Sequence, residues 1–367
     1  MRARARLVSV LIVLRALGVE DARATQLTDP ADQKAEERSW LDDWSLLPVL
    51  FYSPETAVGF GAAVIRSLAL PSGNPILSTL SAGVIYTTEG QFITRFEPDL
   101  RFGDDAFVHA VFGYQRYPTR FFSEEARASD PGEAYDERSM MGHVDARVTY
   151  TGKVRVGLRW EYRHNELTDY VDGGRLEQSG LRGRDPYFAS GLGPVVSLDT
   201  RDDPRLPTRG VLADAKLLGI TIVNGDTAGA LQLGVDLRGY IDLGAGHVLA
   251  GEIGATLTHG DPPFQLLPQL GGPNFLRGWY AGHLRGRHAF LAQLEWRLPV
   301  WKRIGAAAFV GLGETVMRFE QLGFDRVRAG GGLGVRYLLN KRQRVTVRFD
   351  LAWGSGLGAY VDVLEAF

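Results

Sequence analysis

The residues best suited to do chemistry lie in one stretch, Gly271 to Pro299, which reads GGPNFLRGWYAGHLRGRHAFLAQLEWRLP. Arg277 stands in a glycine-rich loop as Leu276-Arg277-Gly278-Trp279, and Glu295 follows on a segment that alternates. Phe290, Ala292, Leu294, Trp296 and Leu298 share one parity; Leu291, Gln293, Glu295 and Arg297 share the other. That period is a strand with one apolar and one mostly polar face. A guanidinium is always charged and offers paired, planar donors to a carboxylate. The stretch thus sets Arg277, next to Gly278 in a glycine-rich loop, ahead of a strand whose polar face carries a carboxylate, Glu295.

Catalytic chemistry finds no comparable footing. The sequence holds no His-Glu-x-x-His and no Gly-x-Ser-x-Gly, and its seven histidines lack ligand spacing. The run Ala329-Gly330-Gly331-Gly332-Leu333-Gly334 lacks the Lys-Ser/Thr ending of a phosphate loop. It reads as a strand where backbones approach closely. His259 and Asp261 read as solvated loop positions, as do Glu124, Glu125, Asp130, Glu133, Asp136 and Glu137. No catalytic residue, cofactor or metal is expected. Cysteine is absent, which excludes disulfides and thiolate metal sites. The net charge of -2 gives no basic field for nucleic acid.

The elements that must position Arg277 and Glu295 are strands. Alternation is clearest in four segments. Val154, Val156, Leu158, Trp160 and Tyr162 oppose Arg155, Arg159, Glu161 and Arg163; Val345, Val347, Phe349, Leu351 and Trp353 oppose Arg344, Thr346, Arg348 and Asp350. Leu231, Leu233, Val235 and Leu237 oppose Gln232, Asp236 and Arg238, and Phe92, Phe96, Leu100 and Phe102 oppose Arg95, Glu97, Asp99 and Arg101. From Leu46 to Phe367 about sixteen such strands follow one another, most of them about twice the length usual in soluble sheets and long enough to cross a bilayer at a tilt. No run after the N-terminus reaches the roughly 18 apolar residues of a membrane helix. The fold class expected is therefore all-β, a transmembrane antiparallel β-barrel of about 16 strands.

Connection lengths support this reading. If the first strand starts on the periplasmic side, the long connections Pro118–Arg138, Asn165–Ala189, Gly260–Arg287 and Val316–Arg326 all fall outside. The turns at Pro71–Asn74, Gly103–Asp105, Gly152 and Gly244–Gly246 fall inside and are short. Phe51, Tyr52, Tyr117, Tyr162 and Trp353 are placed for interfacial girdles. At the N-terminus, Arg2, Arg4 and Arg6 precede an apolar run from Leu7 to Leu14 and an Ala22-Arg23-Ala24 cleavage site. The expected organisation is a signal peptide over 1–24, a short periplasmic lead-in over 25–45 and an outer-membrane barrel over 46–367, surrounded by outer-membrane lipid.

With these residues in place, the chain resembles the BamA/TamA superfamily of outer-membrane assembly and translocation barrels, the bacterial surface antigen family. Leu47 to Ala62 looks like the opening hairpin of shorter members. Asp199, Arg201 and Asp202, followed by Pro207-Thr208-Arg209-Gly210, resemble the family's mid-barrel inner turn. Leu276-Arg277-Gly278-Trp279 is similar to its loop motif, and Glu295-Trp296-Arg297, Asp350 and the ending at Phe367 complete the match. The resemblance implies that the loop carrying Arg277 and Gly278 folds into the barrel and that Arg277 forms an ion-pair latch with acids on the inner wall, Glu295 being the partner expected. It implies a closing strand that runs to Phe367 and a weak seam between first and last strands. It also implies a role in inserting or translocating polypeptides with a separate periplasmic or outer-membrane protein partner; the alternative is a channel or an anchoring barrel without assembly activity. Two departures stand out. Where the family often has Phe-x-Asp on the next strand, this chain has Phe309-Val310-Gly311, which leaves Glu314 as a candidate replacement acid. The stretch from Thr25 to Trp44 is also too short for a POTRA domain, so the reading is of a member without POTRA domains.

Overall fold

In the computed structural model, residues 44–68, 78–103, 105–123, 126–340 and 344–367 are described. The expected signal peptide, nearly all of the lead-in, the turn at Pro71–Asn74 and the acidic pair Glu124 and Glu125 lie outside the described residues. The chain forms β1 (Trp44–Ser53), β2 (Ala57–Leu68), β3 (Ser78–Thr87), β4 (Phe92–Phe102), β5 (Ala106–Phe121), β6 (Glu133–Thr151), β7 (Val154–Tyr170), β8 (Tyr187–Asp199), β9 (Gly210–Asn224), β10 (Asp226–Gly244) and β11 (His247–Gly260). Two short strands, β12 (Gln269–Leu270) and β13 (Leu284–Arg285), sit within the long connection that follows. β14 (His288–Trp301), β15 (Ile304–Val316), β16 (Arg328–Asn340), β17 (Val345–Trp353) and β18 (Leu357–Val363) complete the set. Sixteen of these strands close into one antiparallel barrel, with β11 paired to β14 and β18 returning to β1, while β12 and β13 pair only with each other.

The side-chain alternation read from the sequence becomes an inside and an outside. On β4, Arg95 and Glu97 are buried and Phe96 and Phe102 are exposed; on β17, Arg348 and Asp350 are buried and Phe349, Leu351 and Trp353 are exposed. A polar lumen and an apolar outer wall invert the soluble pattern, and such a wall suits lipid. Strand lengths vary around the ring, from 19 residues in β6 and β10 to 9 in β17 and 7 in β18. Four long connections, 122–132, 171–186, 261–287 and 317–327, lie at one end, here the loop end; the other, the turn end, carries the ten-residue connection 200–209 and two-residue turns such as 152–153 and 302–303.

Three expectations need correction. First, Pro118–Arg138 and Asn165–Ala189 are strand at both ends, so the connections themselves are shorter than expected. The β5–β6 ladder continues through Thr119–Tyr135 to Phe121–Glu133 because Phe121 and Tyr135 pack on Phe264 and Leu176 above the barrel. The acids there are engaged rather than free: Asp130 pairs with Arg175, Asp136 with Arg116 and Glu137 with Arg163. The Glu133 carboxylate accepts the backbone N–H groups of Arg175 and Leu176. Second, Phe51 and Tyr117 do not belong to a girdle. Strand parity points them inward, into a lumenal apolar cluster with Val49, Ala63, Ile85 and Ile93, whereas Tyr52 and Trp353 face outward. Third, Arg344 is not on the polar face of a strand. It takes a positive φ of 53° in the turn before β17.

Candidate functional site

The β11–β14 connection, residues 261–287, folds inward and builds its own apolar foot. Leu270, Phe275, Leu276 and Trp279 pack together on Leu291 of β14. Burying four large apolar side chains in the lumen holds the loop independently of its ion pairs. Leu276 is fully buried in a left-handed backbone conformation, φ 59°, and its N–H donates to Gln293 Oε1 at 3.3 Å. Trp279 Nε1 donates to the carbonyl of Ala329 on β16 at 2.8 Å.

This foot delivers Arg277 to two carboxylates. Nη2 lies 2.6 Å from Glu295 Oε2 and Nη1 lies 2.6 Å from Asp350 Oδ2. The guanidinium also lies over the Phe309 ring, 3.4 Å from its centroid, where the ring face attracts a cation. The structure thus resolves the question left by Gly311. The second acid is Asp350, carried on β17, and Phe309 supplies a face instead of a carboxylate two residues on. Glu314 points elsewhere and accepts the N–H of Gly323 at 3.0 Å.

Around this pair the lumen wall holds a wider network. Arg336 reaches Asp350, Glu295 and Glu365; Arg297 reaches Glu295 and Glu365; Arg348 reaches Asp350 and Asp362. Arg277, Arg297, Arg336 and Arg348 therefore face Glu295, Asp350, Asp362 and Glu365, with matched charge. Desolvating charges is costly unless every one is paired and hydrogen-bonded, and here the loop arginine completes the balance. Arg348 ties in the loop a second time through Asn274 Oδ1 at 2.7 Å and the Pro273 carbonyl at 3.1 Å. Gly334 belongs to this arrangement, since a Cβ there would sit 2.0 Å from Asp350 Oδ1. In the sequence, Arg297 and Asp350 stand within the family resemblance and Arg348 on the polar parity of its strand, whereas nothing singles out Arg336, Asp362 or Glu365 as partners.

Gly278 follows the arginine with φ 98°, and a Cβ on it would meet the Trp353 carbonyl carbon at 2.5 Å. Its N–H donates to the Tyr360 hydroxyl on β18 at 3.0 Å, and its carbonyl accepts from Ser355 N at 3.0 Å. Three residues on, Ala281 N donates to Glu55 Oε1 at 2.8 Å. Glu55 lies in the turn joining β1 and β2. One loop is therefore hydrogen-bonded to both edges of the β1–β18 closure.

That closure is the least developed in the barrel. β1 and β18 are registered at Tyr52–Val361, whereas β1 and β2 pair from Trp44–Arg66 to Ser53–Ala57. Val363 and Leu47 instead pack on the lumenal cluster that holds Val49 and Phe51. The closing strand also stops short of the expected Phe367. It ends at Val363, because Leu364 turns left-handed (φ 64°) and Glu365 is drawn into the arginine network. Phe367 is buried in the lumen beside Tyr240 and Ala250, with its carbonyl 2.8 Å from Arg297 Nη2.

The remaining motif residues form a separate structure at the turn end. Arg201 makes a two-pronged pair with Asp199, at 2.9 and 2.8 Å. Asp202 accepts hydrogen bonds from the Thr208 hydroxyl and from the backbone N–H groups of Thr208 and Arg209, and Gly210 opens β9. Partial burial opposes ionisation of Asp202, but these hydrogen bonds outweigh it and hold its pKa down to about 2. The same connection reaches the turn before β17, where Arg344 Nη2 donates to the Leu206 carbonyl at 3.0 Å and Nε lies 3.5 Å from Asp203. Among the described residues, no hydrogen bond or ion pair joins Asp199, Arg201 or Asp202 to Arg277.

Comparison with known proteins places this architecture. Similar solved structures include BamA from Haemophilus ducreyi lacking POTRA domains 1-3, with a TM-score of 0.60 and 17% identity over 88% of this chain and 70% of that one. CdiB from Acinetobacter baumannii gives a TM-score of 0.56 and 13% identity, over 88% of this chain and 59% of that one. CdiB from Escherichia coli gives 0.56 and 10%, over 87% and 62%. The chain thus spans about three fifths of the CdiB chains it matches. No curated protein sequence matches it. The Omp85 superfamily domain matches residues 80–356, which include the inward loop, Glu295 and Asp350. The chain belongs to the Omp85 superfamily.

Proposed function

We propose that this chain is an outer-membrane barrel that aids the insertion or translocation of polypeptides together with a separate periplasmic or outer-membrane protein, and that it yields at the β1–β18 seam. The observation carrying this reading is the construction of that seam. Backbone pairing there is centred on Tyr52 and Val361, and apolar packing by Leu47 and Val363 supplements it. A closed barrel gains nothing structurally from leaving one strand pair short, since unpaired strand edges are a liability. A passage for polypeptide needs one place where pairing is cheap to undo. Arg277, Gly278 and Glu295 then serve as the latch that holds the loop inside the barrel while the seam is shut. The segments 1–24 and 25–45 would act as signal peptide and periplasmic lead-in.

Because the sequence has no cysteine, one engineered pair tests the seam cleanly. Tyr52→Cys with Val361→Cys places two thiols on ladder partners, a separation that a disulfide can span. Cells lacking the protein are complemented with this variant, and the levels of other outer-membrane proteins and of secreted proteins are measured. Oxidation should abolish complementation and a reductant should restore it. An oxidised, fully cross-linked barrel that works as well as the wild type would overturn the proposal.

A further inference from the structure

Away from the lumen, the outer wall near the loop end of β10, β11 and β14 departs from a plain barrel surface. Leu233, Leu257 and His288 lie side by side across three strands, with Leu231 and His259 in the next row up. On most such walls these side chains would face lipid without further cover. Here the short helical turn Phe319–Gln321, in the β15–β16 connection, leans outward, and Phe319 stacks on the His288 ring at 3.9 Å between centroids. The result is an outward-facing groove of ≈ 390 Å³ with Leu231, Leu233 and Leu257 as its floor and Phe319 as its lip.

The position of the groove decides what occupies it. Its floor continues the exposed apolar belt formed by Leu237, Ile253 and Leu294, whose natural solvent is acyl chain. Its upper rim coincides with the strand ends at Gly260 and His288, where the apolar belt stops and headgroups begin. Two arginines, Arg287 and Arg318, line that rim. Asp261 occupies Nη2 of Arg287 at 2.9 Å, and Glu320 lies beside Arg318, so the rim is not a bare cationic patch. The Arg287 side chain is nevertheless 34% exposed and makes only that one hydrogen bond among the described residues, so its guanidinium keeps donors for a further acceptor. A guanidinium has five donors, and a phosphate accepts two of them at once. We infer that this groove is a binding site for a phosphate-bearing, anionic lipid of the surrounding membrane, with one acyl chain on the leucine floor under Phe319 and the phosphate at Arg287 and Arg318.

The inference does not depend on the seam and is tested without it. The refolded full chain, in detergent micelles, is exposed to equal amounts of phosphatidylglycerol and phosphatidylcholine with identical acyl chains. Lipid retained on the protein is then counted by native mass spectrometry. The wild type should retain phosphatidylglycerol preferentially by about tenfold, because both lipids carry the phosphate but only phosphatidylcholine brings a cation up against Arg287 and Arg318. Arg287→Gln with Arg318→Gln should erase the preference while leaving the heat-dependent gel shift of the folded barrel unchanged. Arg318→Gln alone, at an exposed position, should reduce it if the double variant folds poorly. Phe319→Ala should lower retention of both lipids. No preference in the wild type, an unchanged preference in the arginine variants, or unchanged retention in Phe319→Ala would each overturn the assignment.

Discussion

Arg277 and Asp350 are joined at 2.6 Å although 73 residues of sequence separate them. The contact runs from the tip of an infolded loop to β17, the third strand along the wall from the loop's own exit strand β14. It makes the loop part of the wall. A pair with Glu295 alone would tie the loop only to the strand that follows it.

Arg277→Ala should therefore destabilise the barrel strongly. Glu295 and Asp350 would remain buried with one positive partner fewer, and breaking such a pair from one side costs about 3–5 kcal/mol. The folded band on an unboiled gel should be lost at a clearly lower temperature. In planar bilayers, the variant should show larger or less stable currents than the wild type. Arg277→Lys should recover only part of the loss, because an ammonium cannot bridge two carboxylates with a planar fork. A variant as stable and as quiet as the wild type would refute the latch.

The two candidate second acids separate in the same assay. Asp350→Asn should lower stability by about 1–3 kcal/mol and should show strong coupling to Arg277→Ala in a double-mutant cycle. Glu314→Gln should couple to Arg277 by less than about 0.5 kcal/mol, since Glu314 is engaged with Gly323 N.

Gly278 is the backbone counterpart of this argument. Gly278→Ala puts an L side chain at φ 98° and a Cβ into the Trp353–Gly354 backbone. Strain of this kind costs about 1–3 kcal/mol, and the Tyr360 and Ser355 hydrogen bonds would be distorted with it. Thermal unfolding followed by circular dichroism should show the loss, and restoring the charge cluster elsewhere should not repair it.

Much of this was legible in the sequence because a barrel in lipid enforces period-two patterning on every strand, and because Arg277 and Glu295 are close enough in sequence to be read together. Asp350 was visible as a polar residue on lumen parity, but nothing local says that it lies opposite residue 277, which depends on strand order and loop path. Phe51 misled because an aromatic near a strand end suits both a girdle and a lumenal cluster, and only the register decides. Phe367 misled for a different reason. Alternation through Val361 and Val363 continues formally to Phe367, yet the pull of Arg336 and Arg297 on Glu365 takes the chain out of the sheet after Val363.

At the turn end, acid sensitivity should be unusually late. The Asp202 carboxylate titrates near pH 2, below the ordinary value of about 4 for an unstructured aspartate. Its stabilising hydrogen bonds are present above the ordinary value and are lost as pH falls through the folded one. Hydrogen exchange at the Thr208 and Arg209 amides should stay slow at pH 3 and become fast only as pH approaches 2. In Asp202→Asn, which keeps one acceptor oxygen but no charge, those amides should exchange faster and without this pH dependence.

The loop's grip on both seam edges leads to the sharpest expectation. Gly278 N bonds Tyr360 on β18, and Ala281 N bonds Glu55 between β1 and β2. These two donors are three residues apart on a loop held rigid by Leu276 and Trp279, so neither edge can move outward without losing a bond. Tyr360→Phe removes one acceptor and leaves Arg277, Glu295 and Asp350 untouched. Leaving a buried N–H without a partner costs about 1–3 kcal/mol, and the cost should fall on the seam. Hydrogen exchange in β1 and β18 should accelerate while β10 and β11, on the far wall, stay protected. Glu55→Ala should act in the same direction from the other edge. If exchange rose only within residues 271–283, the loop would be a passenger on the seam. Faster exchange at both edges from a change at either one would show that the loop holds them together.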